Sequence, residues 1–277
     1  DPLTGTMTPV TVYKREGDRY LIPVTLAPEG SIFIVFRSSA ERRHIVNIEK
    51  DVKKLIAGND PLVTGASDLH VNAHQVEIGE CGTYRFTWSD GKESEIHLKQ
   101  HNPEYIIDGK WKIHFMENPL LGESFEIETD ELKSWTDFSN REVKYFSGKA
   151  RYSKNFFHSR ENLKSGRVNL DLGNVHDIAT IKLNGKEITT CWISPFRVDV
   201  TDYLKVGNNF LEIEVVNMWT NRLIGDGKLP DDERLTRTNI DKFDGPEAEK
   251  YLRTSGLLGP VKLVFSTVPE SNPLDFF

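Results

Sequence analysis

The recurring alternation of apolar and polar residues is the feature that most limits what this chain can fold into. Residues 210–216 show it clearly, and segments of the same period occur along almost the whole sequence. Because successive side chains of a β-strand point to opposite faces, this period is typical of strands with one buried face. One exception is the segment 49–57, where Val52, Leu55 and Ile56 have helical spacing and predict a short helix or a connection. The chain is therefore predicted to be all-β.

The length of 277 residues suits two domains of about 100 to 200 residues each. The polar segment 100–104 contains a proline and interrupts the strand pattern, which is typical of a domain boundary. We therefore predict a β-sandwich of linker type at residues 1–104 and a second β-sandwich domain at residues 105–277.

The strand pattern of the second domain favours a jelly roll, in which two antiparallel sheets face each other. The dipeptide Asn184-Gly185 predicts a type I′ hairpin turn, and Asp90-Gly91 predicts a hairpin in the first domain. The strands predicted in the first domain are 19–26, 31–36, 71–78, 83–88 and 95–99. Those predicted in the second are 110–115, 124–129, 148–157, 167–172, 178–183, 196–200, 210–216 and 261–266.

Charge and hydropathy argue against two classes of partner. The 35 basic and 42 acidic residues give a net charge of -7, and no basic stripe is present, so we expect no nucleic-acid partner. No apolar run reaches the roughly 20 residues of a membrane span.

Cys81 and Cys191 fall in different predicted domains and are expected to be free thiols. The start at Asp1, without an initiator Met, predicts a chain that is processed or excised from a longer one.

A candidate binding site lies where the strand 210–216 enters a long loop. Trp219, Asn221, Arg222 and Asp226 offer a stacking face, an amide, a forked donor and an acceptor, which suit several hydroxyls of one sugar. Trp192 is a further candidate, because an indole can stack on the apolar face of a sugar ring. The alternative is structural: Arg222 and Asp226 pair to fix the loop, and the two indoles pack in the core.

No cofactor is predicted, although two metal sites were considered. The segment 239–245 superficially resembles a calcium loop, so calcium is a possible ligand there, but the closing Glu is absent at the required spacing. A solvated loop whose acids are balanced by basic residues is the alternative. His70 and His74 could share one face as a zinc pair, but no further ligands converge on them in the sequence.

Several blocks of the second domain resemble the galactose-binding-like module of certain glycoside hydrolases. The block 219–226 is most similar to the C-terminal region of family 106 α-L-rhamnosidase-type enzymes, and more loosely to the sugar-binding domain of family 2. The resemblance covers residues 105–266, and the blocks that carry it are 111–115, 132–136, 143–152, 170–173, 183–186, 195–201, 207–211, 219–226 and 255–261.

The resemblance implies an accessory part of a larger enzyme. Such enzymes carry their catalytic carboxylates on an α/β barrel, and this chain lacks the alternation of strands and long helices that builds one, so no catalytic residue is assigned. The function implied is a non-catalytic, carbohydrate-binding portion of an α-L-rhamnosidase-like glycoside hydrolase that acts on polysaccharide. Its expected partners are a rhamnose-containing glycan and an upstream catalytic barrel of the same polypeptide.

Two other functions stay open from the sequence. One is a structural module that packs other domains and binds no sugar. The other is a self-contained glycosidase, which needs two carboxylates roughly 5 to 10 Å apart across a pocket. The family likeness also implies a secreted protein with a periplasmic or extracellular location.

Overall fold

The computed structural model describes most of the chain, and the account below is confined to those residues. They are residues 2, 5, 7–24, 26, 30–37, 43–51, 53–56, 69–71, 76–78, 81–98, 104–117, 123–159 and 166–266.

The chain divides into two compact units. The first comprises Asp1–Pro103, Leu163–Arg167 and Phe265–Phe277, and the second comprises Glu104–Asn162 and Val168–Val264. The first unit thus includes two segments that follow the boundary predicted at residues 104 and 105.

The first unit contains a four-stranded antiparallel sheet and two separate hairpins. Its sheet has the order β4-β3-β7-β8, and the hairpins are β1-β2 and β5-β6. The alternating residues of β7 place Tyr84, Phe86 and Trp88 in a core with Ile45 and Ile48. The strands are β1 (Lys14–Glu16), β2 (Arg19–Leu21), β3 (Ile45–Lys50), β4 (Lys53–Ile56), β5 (Leu69–Val71), β6 (Val76–Ile78), β7 (Gly82–Trp88) and β8 (Glu93–Leu98).

Three predictions for the first unit are wrong. The helix considered at 49–57 is instead part of the β3-β4 hairpin, whose turn contains Asp51 with a φ of 48°. The single strand predicted at 71–78 is a pair of short strands, β5 and β6. Residues 31–36 lie in no strand, and their apolar side chains are exposed. The hairpin predicted at Asp90-Gly91 joins β7 to β8.

The second unit is built from a six-stranded sheet, β11-β10-β12-β18-β15-β16, and a four-stranded sheet, β17-β13-β20-β9. Strands β14 and β19 form a separate two-stranded sheet. The strands of the second unit are β9 (Glu104–Ile106), β10 (Trp111–Phe115), β11 (Phe125–Thr129), β12 (Lys149–His158), β13 (Val168–Asp171), β14 (Asn174–His176), β15 (Ile178–Leu183), β16 (Lys186–Cys191), β17 (Arg197–Asp199), β18 (Gly207–Val216), β19 (Gly256–Gly259) and β20 (Lys262–Phe265). Two short helices complete the unit, α1 (Arg141–Lys144) and α2 (Thr220–Asp226).

The long strand β18 shows why the sequence alternates. Leu211, Ile213 and Val215 are fully buried, and the residues between them point to the opposite face of the sheet. Ile213 is paired with Tyr152 of β12 on one side and with Ile181 of β15 on the other, so one face of three strands forms a continuous core.

The all-β prediction is confirmed, and a strand overlaps each of the eight segments predicted in the second domain. Asn184 and Gly185 have φ values of 55° and 80°, as a type I′ turn requires. The predicted list omitted β9, β14, β16 and β19. Three of these strands have only three or four residues, too few for a period of two to stand out.

Candidate functional site

Strands β16 and β18 end, and the antiparallel strand β15 between them begins, at the same end of the six-stranded sheet. Cys191, Ala179 and Val215 form one row across these strands. The residues after β16 and after β18 therefore leave the sheet at the same end. Because one strand separates β16 from β18, their backbones lie about 10 Å apart there. We call this region, with Trp192, Met218 and Trp219, the aromatic sheet end.

Both candidate indoles of the aromatic sheet end face solvent. Trp192 is 58% exposed and Trp219 is 46% exposed, and Met218 beside it is also exposed. The structural alternative for these two residues, packing in the core, is therefore wrong. An exposed indole offers a flat apolar face and an N–H donor, the combination that is useful at binding surfaces.

Asn221 has a different environment, because its side chain points into the protein and is 1% exposed. Its Nδ2 donates to the Arg253 carbonyl at 2.7 Å and to Ser255 Oγ at 2.9 Å. Its Oδ1 accepts from the Arg253 backbone N–H at 2.8 Å. These bonds hold the start of α2 against residues 253–255. The donors and acceptor of the Asn221 amide are thus used within the protein.

Arg222 and Asp226 pair along α2, with 2.9 Å between Arg222 Nη2 and Asp226 Oδ1. Asp226 is 2% exposed, and its other oxygen accepts two bonds of 2.6 Å, from the backbone N–H and the hydroxyl of Thr236. This is the loop-fixing arrangement that the sequence offered as the alternative to a sugar contact. Direct sugar binding by Asn221, Arg222 and Asp226 stays a prediction.

A network of buried polar groups fixes the backbone that carries Trp219. Asn217 Oδ1 accepts from the Gly148 N–H at 2.9 Å, and its Nδ2 donates to the Phe146 carbonyl at 2.9 Å and to Ser255 Oγ at 3.0 Å. The hydroxyl of Ser147 donates to the Met218 carbonyl at 2.9 Å. Sequence reasoning missed these residues, although their side chains position the aromatic sheet end.

A second polar cluster surrounds Glu249, in a segment that contacts α2. This carboxylate accepts from the Tyr145 hydroxyl, and Lys228 Nζ and Lys144 Nζ lie 2.8 and 3.3 Å from its oxygens. The Lys228 hydrogen bond first, and then the Tyr145 bond, lower the pKa of Glu249 to about 2. Burial, followed by the bond to Glu249, raises the pKa of Tyr145 to about 12.

The acidic loop considered for calcium is occupied by internal contacts. Asp244 Oδ2 lies 3.2 Å from Arg234 Nη1, and Arg234 also donates to the carbonyls of Gly227 and Leu229. In the described part of the chain, no three His, Cys, Asp or Glu side chains come together as metal ligands. His74, half of the zinc pair considered above, lies outside the described residues.

The first unit contains a concavity of about 310 Å³ lined by Glu49, Asp51, Thr83, Arg85 and Glu95. Its carboxylates have partners. Arg85 lies 3.2 Å from Glu95 and 3.9 Å from Glu49, and Asp51 accepts from the Thr83 N–H at 2.8 Å. The carboxylates of this concavity are therefore engaged in ion pairs and a backbone hydrogen bond.

Comparisons with known proteins agree with the sheet topology of the second unit. Residues 133–254 match the family described as "Glycosyl hydrolase 2 galactose-binding domain-like". A protein of Formosa agariphila that carries the provisional name β-glucuronidase is 35% identical over 90% of this chain. The chain spans only 22% of the length of that relative.

A solved rhamnosidase structure from Novosphingobium sp. PP1Y is similar in fold. It aligns with 76% of this chain and 26% of its own chain, with a TM-score of 0.51 and 23% sequence identity. Among the described residues, no helix has the length and apolarity of a membrane span. Apart from Leu163–Arg167, the family match lies within the second unit, so residues 133–254 are similar to the glycosyl hydrolase 2 galactose-binding-like domain.

Proposed function

We propose that this chain is the non-catalytic, carbohydrate-binding portion of a larger glycoside hydrolase that degrades polysaccharide. The observation that carries this proposal is the placement of two exposed indoles, Trp192 and Trp219, at one end of a sheet in a galactose-binding-like domain. A binding surface needs accessible stacking faces on a rigid scaffold, and the aromatic sheet end has both.

The chemistry of the sheet end suits a sugar. An indole face stacks on the C–H face of a pyranose, and its N–H can bond a hydroxyl. Beside the indoles, Thr180 and Thr190 lie opposite each other on β15 and β16, with 2.9 Å between their hydroxyl oxygens. These hydroxyls can donate and accept, as neutral sugar hydroxyls require.

Catalysis is assigned in this proposal to another part of the parent protein. Two carboxylates of this region are engaged: Asp226 with Arg222 and Thr236, and Glu214 with Arg151 and Lys149. Burial acts to raise the pKa of Glu214, but the two cations hold it below its ordinary value, so it stays ionised. An ionised, paired carboxylate is a poor general acid.

The identity of the parent enzyme belongs to the same proposal. The sequence resemblance to family 106 and the fold of the Novosphingobium rhamnosidase support a rhamnose-containing glycan. The Formosa relative bears the name of a glucuronidase and supports a glucuronate-containing one. We propose an upstream catalytic barrel in the same polypeptide and a periplasmic or extracellular location, where polysaccharide is available.

A glycan array tests the binding function directly. The 277-residue chain should bind to spots that carry rhamnose- or glucuronate-containing glycans. Trp192→Ala and Trp219→Ala should each weaken this binding about tenfold, because each removes a stacking contact of about 1 to 2 kcal/mol. Phe33→Ala is the matched control, since Phe33 is an exposed aromatic residue of the first unit.

Two outcomes support the alternatives instead. If no glycan binds and the tryptophan variants change only thermal stability, the chain is a structural packing module. If the chain alone hydrolyses an aryl α-L-rhamnoside or an aryl β-D-glucuronide, it is a self-contained glycosidase, and the concavity lined by Glu49, Asp51 and Glu95 becomes the first place to mutate.

A further inference from the structure

The outer face of the six-stranded sheet carries two kinds of surface. Its middle rows are charged and internally paired. Arg151 lies opposite Glu214 with 2.9 Å between Nη2 and Oε2, and Lys182 lies 3.4 Å from Glu187. Such pairs satisfy one another and leave little unmatched charge for a ligand.

On the outer face, the rows beyond this ladder, towards the start of β18, contain no charged residue on β12 or β18. Asn155 of β12 pairs with Phe210 of β18, and Phe157 pairs with Asn208. Because residues two apart on a strand share a face, all four side chains project from the side opposite to the buried Leu211. On this face, a phenyl ring and an amide therefore follow each other along each strand, and each ring lies opposite an amide on the neighbouring strand. We call these four residues the Phe/Asn patch.

The Phe/Asn patch is accessible. Phe157 is 60% exposed and Phe210 is 38% exposed, and both asparagines are exposed. Within the described residues, the side-chain amides of Asn155 and Asn208 make no hydrogen bond, so their donors and acceptors are available. Phe157 and Phe210 are diagonal neighbours of an antiparallel pair, whose residues lie about 7 to 8 Å apart, so one ligand can reach both rings.

We propose that Asn155, Phe157, Asn208 and Phe210 form a second binding face for a neutral oligosaccharide. A pyranose presents C–H groups on its ring faces and hydroxyls around its edge. The two phenyl rings match the C–H faces, and the two amides supply both donors and acceptors to hydroxyls. Amides carry no charge, and the neighbouring ladder is internally neutralised, so a neutral sugar matches this surface better than a uronate.

The Phe/Asn patch is separate from the aromatic sheet end. Phe210 and Val216 are six residues apart on β18, which corresponds to about 20 Å along the strand. Occupancy of one site does not require the other. The proposal is therefore independent of the proposed function at Trp192 and Trp219, and each can fail alone.

Calorimetric titration of the full chain with xylotetraose, galactotetraose and mannotetraose tests the patch, with tetragalacturonate as the acidic comparison. At least one neutral probe should bind. Phe157→Ala combined with Phe210→Ala should weaken its binding by a factor of ten or more, and Asn155→Ala combined with Asn208→Ala by about five to tenfold. All four substitutions are at exposed positions, and circular dichroism verifies the fold.

Two control variants make the result specific. Ile106→Ala removes an equally exposed apolar side chain from the other sheet and should leave the titration unchanged. Leu235→Ala removes an exposed apolar side chain from the loop after α2 and should also leave the titration unchanged. Side-chain NH₂ resonances of Asn155 and Asn208 should shift on addition of the probe in both controls.

Three results would overturn the proposal. The first is unchanged affinity in the double phenylalanine variant. The second is tighter binding of tetragalacturonate than of every neutral probe. The third is the absence of any glycan binding together with self-association that Phe157→Asp abolishes, which would make the patch a protein-docking face.

Discussion

Buried amides determine the route of the chain where β18 leaves its sheet. Asn217 bonds to Gly148, Phe146 and Ser255, and Asn221 bonds to Arg253 and Ser255, so two short polar side chains join three separate segments. Polar groups this deeply buried are stabilising only when they are fully bonded. These asparagines therefore support the position of Trp219 without contacting a ligand themselves.

Replacing Asn217 by alanine should lower the free energy of unfolding by about 2 kcal/mol or more, because the Gly148 N–H and the buried Phe146 carbonyl lose their partner. Urea titration followed by tryptophan fluorescence measures the change. Asn239→Ala is the matched control at an exposed position and should alter stability by less than about 0.5 kcal/mol. A loss equally small in Asn217→Ala would contradict the network.

Acid should weaken the cluster around Glu249. Its pKa is lowered to about 2 in the folded chain, so the stability that Lys228, Tyr145 and Lys144 provide is present above the ordinary glutamate pKa and is lost as pH falls through about 2. Glu249→Gln removes this titration. We expect the wild-type chain to lose more unfolding free energy than the variant between pH 5 and pH 2.

Chemical denaturation of the wild-type chain and of Glu249→Gln at several pH values in this range gives the two unfolding free energies to compare. Parallel pH profiles would show that Glu249 contributes no differential stability. The side chain is partly exposed, so added salt should reduce the difference between the two proteins.

At the scale of elements, helix α2 depends on close contact with Tyr145. A Cβ atom added to Gly225 would lie 2.6 Å from Tyr145 Cβ, closer than any tolerated contact. The glycine therefore allows α2 to lie directly on the residues that follow α1. Ile224, Tyr145 and Ala248 share the small core beneath this contact.

Gly225→Ala should destabilise the chain by about 1 to 3 kcal/mol, because overpacking outweighs the roughly 1 kcal/mol that alanine contributes to helix propensity. The thermal midpoint measures the balance. A raised midpoint would mean that α2 does not pack on Tyr145 as described.

The strands of the second unit could be predicted because their faces differ so clearly in polarity. Residues 179–183 alternate strictly between apolar and polar side chains, and β15 comprises the predicted residues 178–183. The 49–57 segment misled because Val52, Leu55 and Ile56 have helical spacing, whereas the left-handed backbone at Asp51 makes a hairpin there. Turn conformation of this kind at a residue other than glycine leaves little trace in a periodic pattern.

The candidate site could be predicted only in part for a related reason. The block 219–226 was expected to be a loop, but it forms α2, and a helix directs Asn221 and Asp226 into the protein. Which way Trp192 points depends on the register of β16 against β15, which the sequence does not contain. The Phe/Asn patch was missed because each of its residues is ordinary alone, and only the pairing of β12 with β18 brings them together.

At the scale of the whole molecule, the chain contains sandwich sheets with aromatic surfaces, and the carboxylates described at its concavity and beside α2 are engaged in ion pairs and hydrogen bonds. This arrangement suits a module that holds a glycan near a catalytic domain. On the proposed function, this raises the local substrate concentration through a second point of attachment. A parent glycoside hydrolase should then lose more activity on polymeric substrate than on a small aryl glycoside when the two indoles are removed.

The most direct test of carbohydrate binding without catalysis uses the five tryptophans as probes. Trp88, Trp111 and Trp135 are buried, whereas Trp192 and Trp219 are exposed, so their indole N–H signals report separate parts of the protein. Adding a rhamnose-containing oligosaccharide to the ¹⁵N-labelled chain should shift the Trp192 and Trp219 signals, leave the other three in place and leave the sugar intact. Unshifted signals at both exposed indoles, with the sugar cleaved in the same tube, would contradict the account.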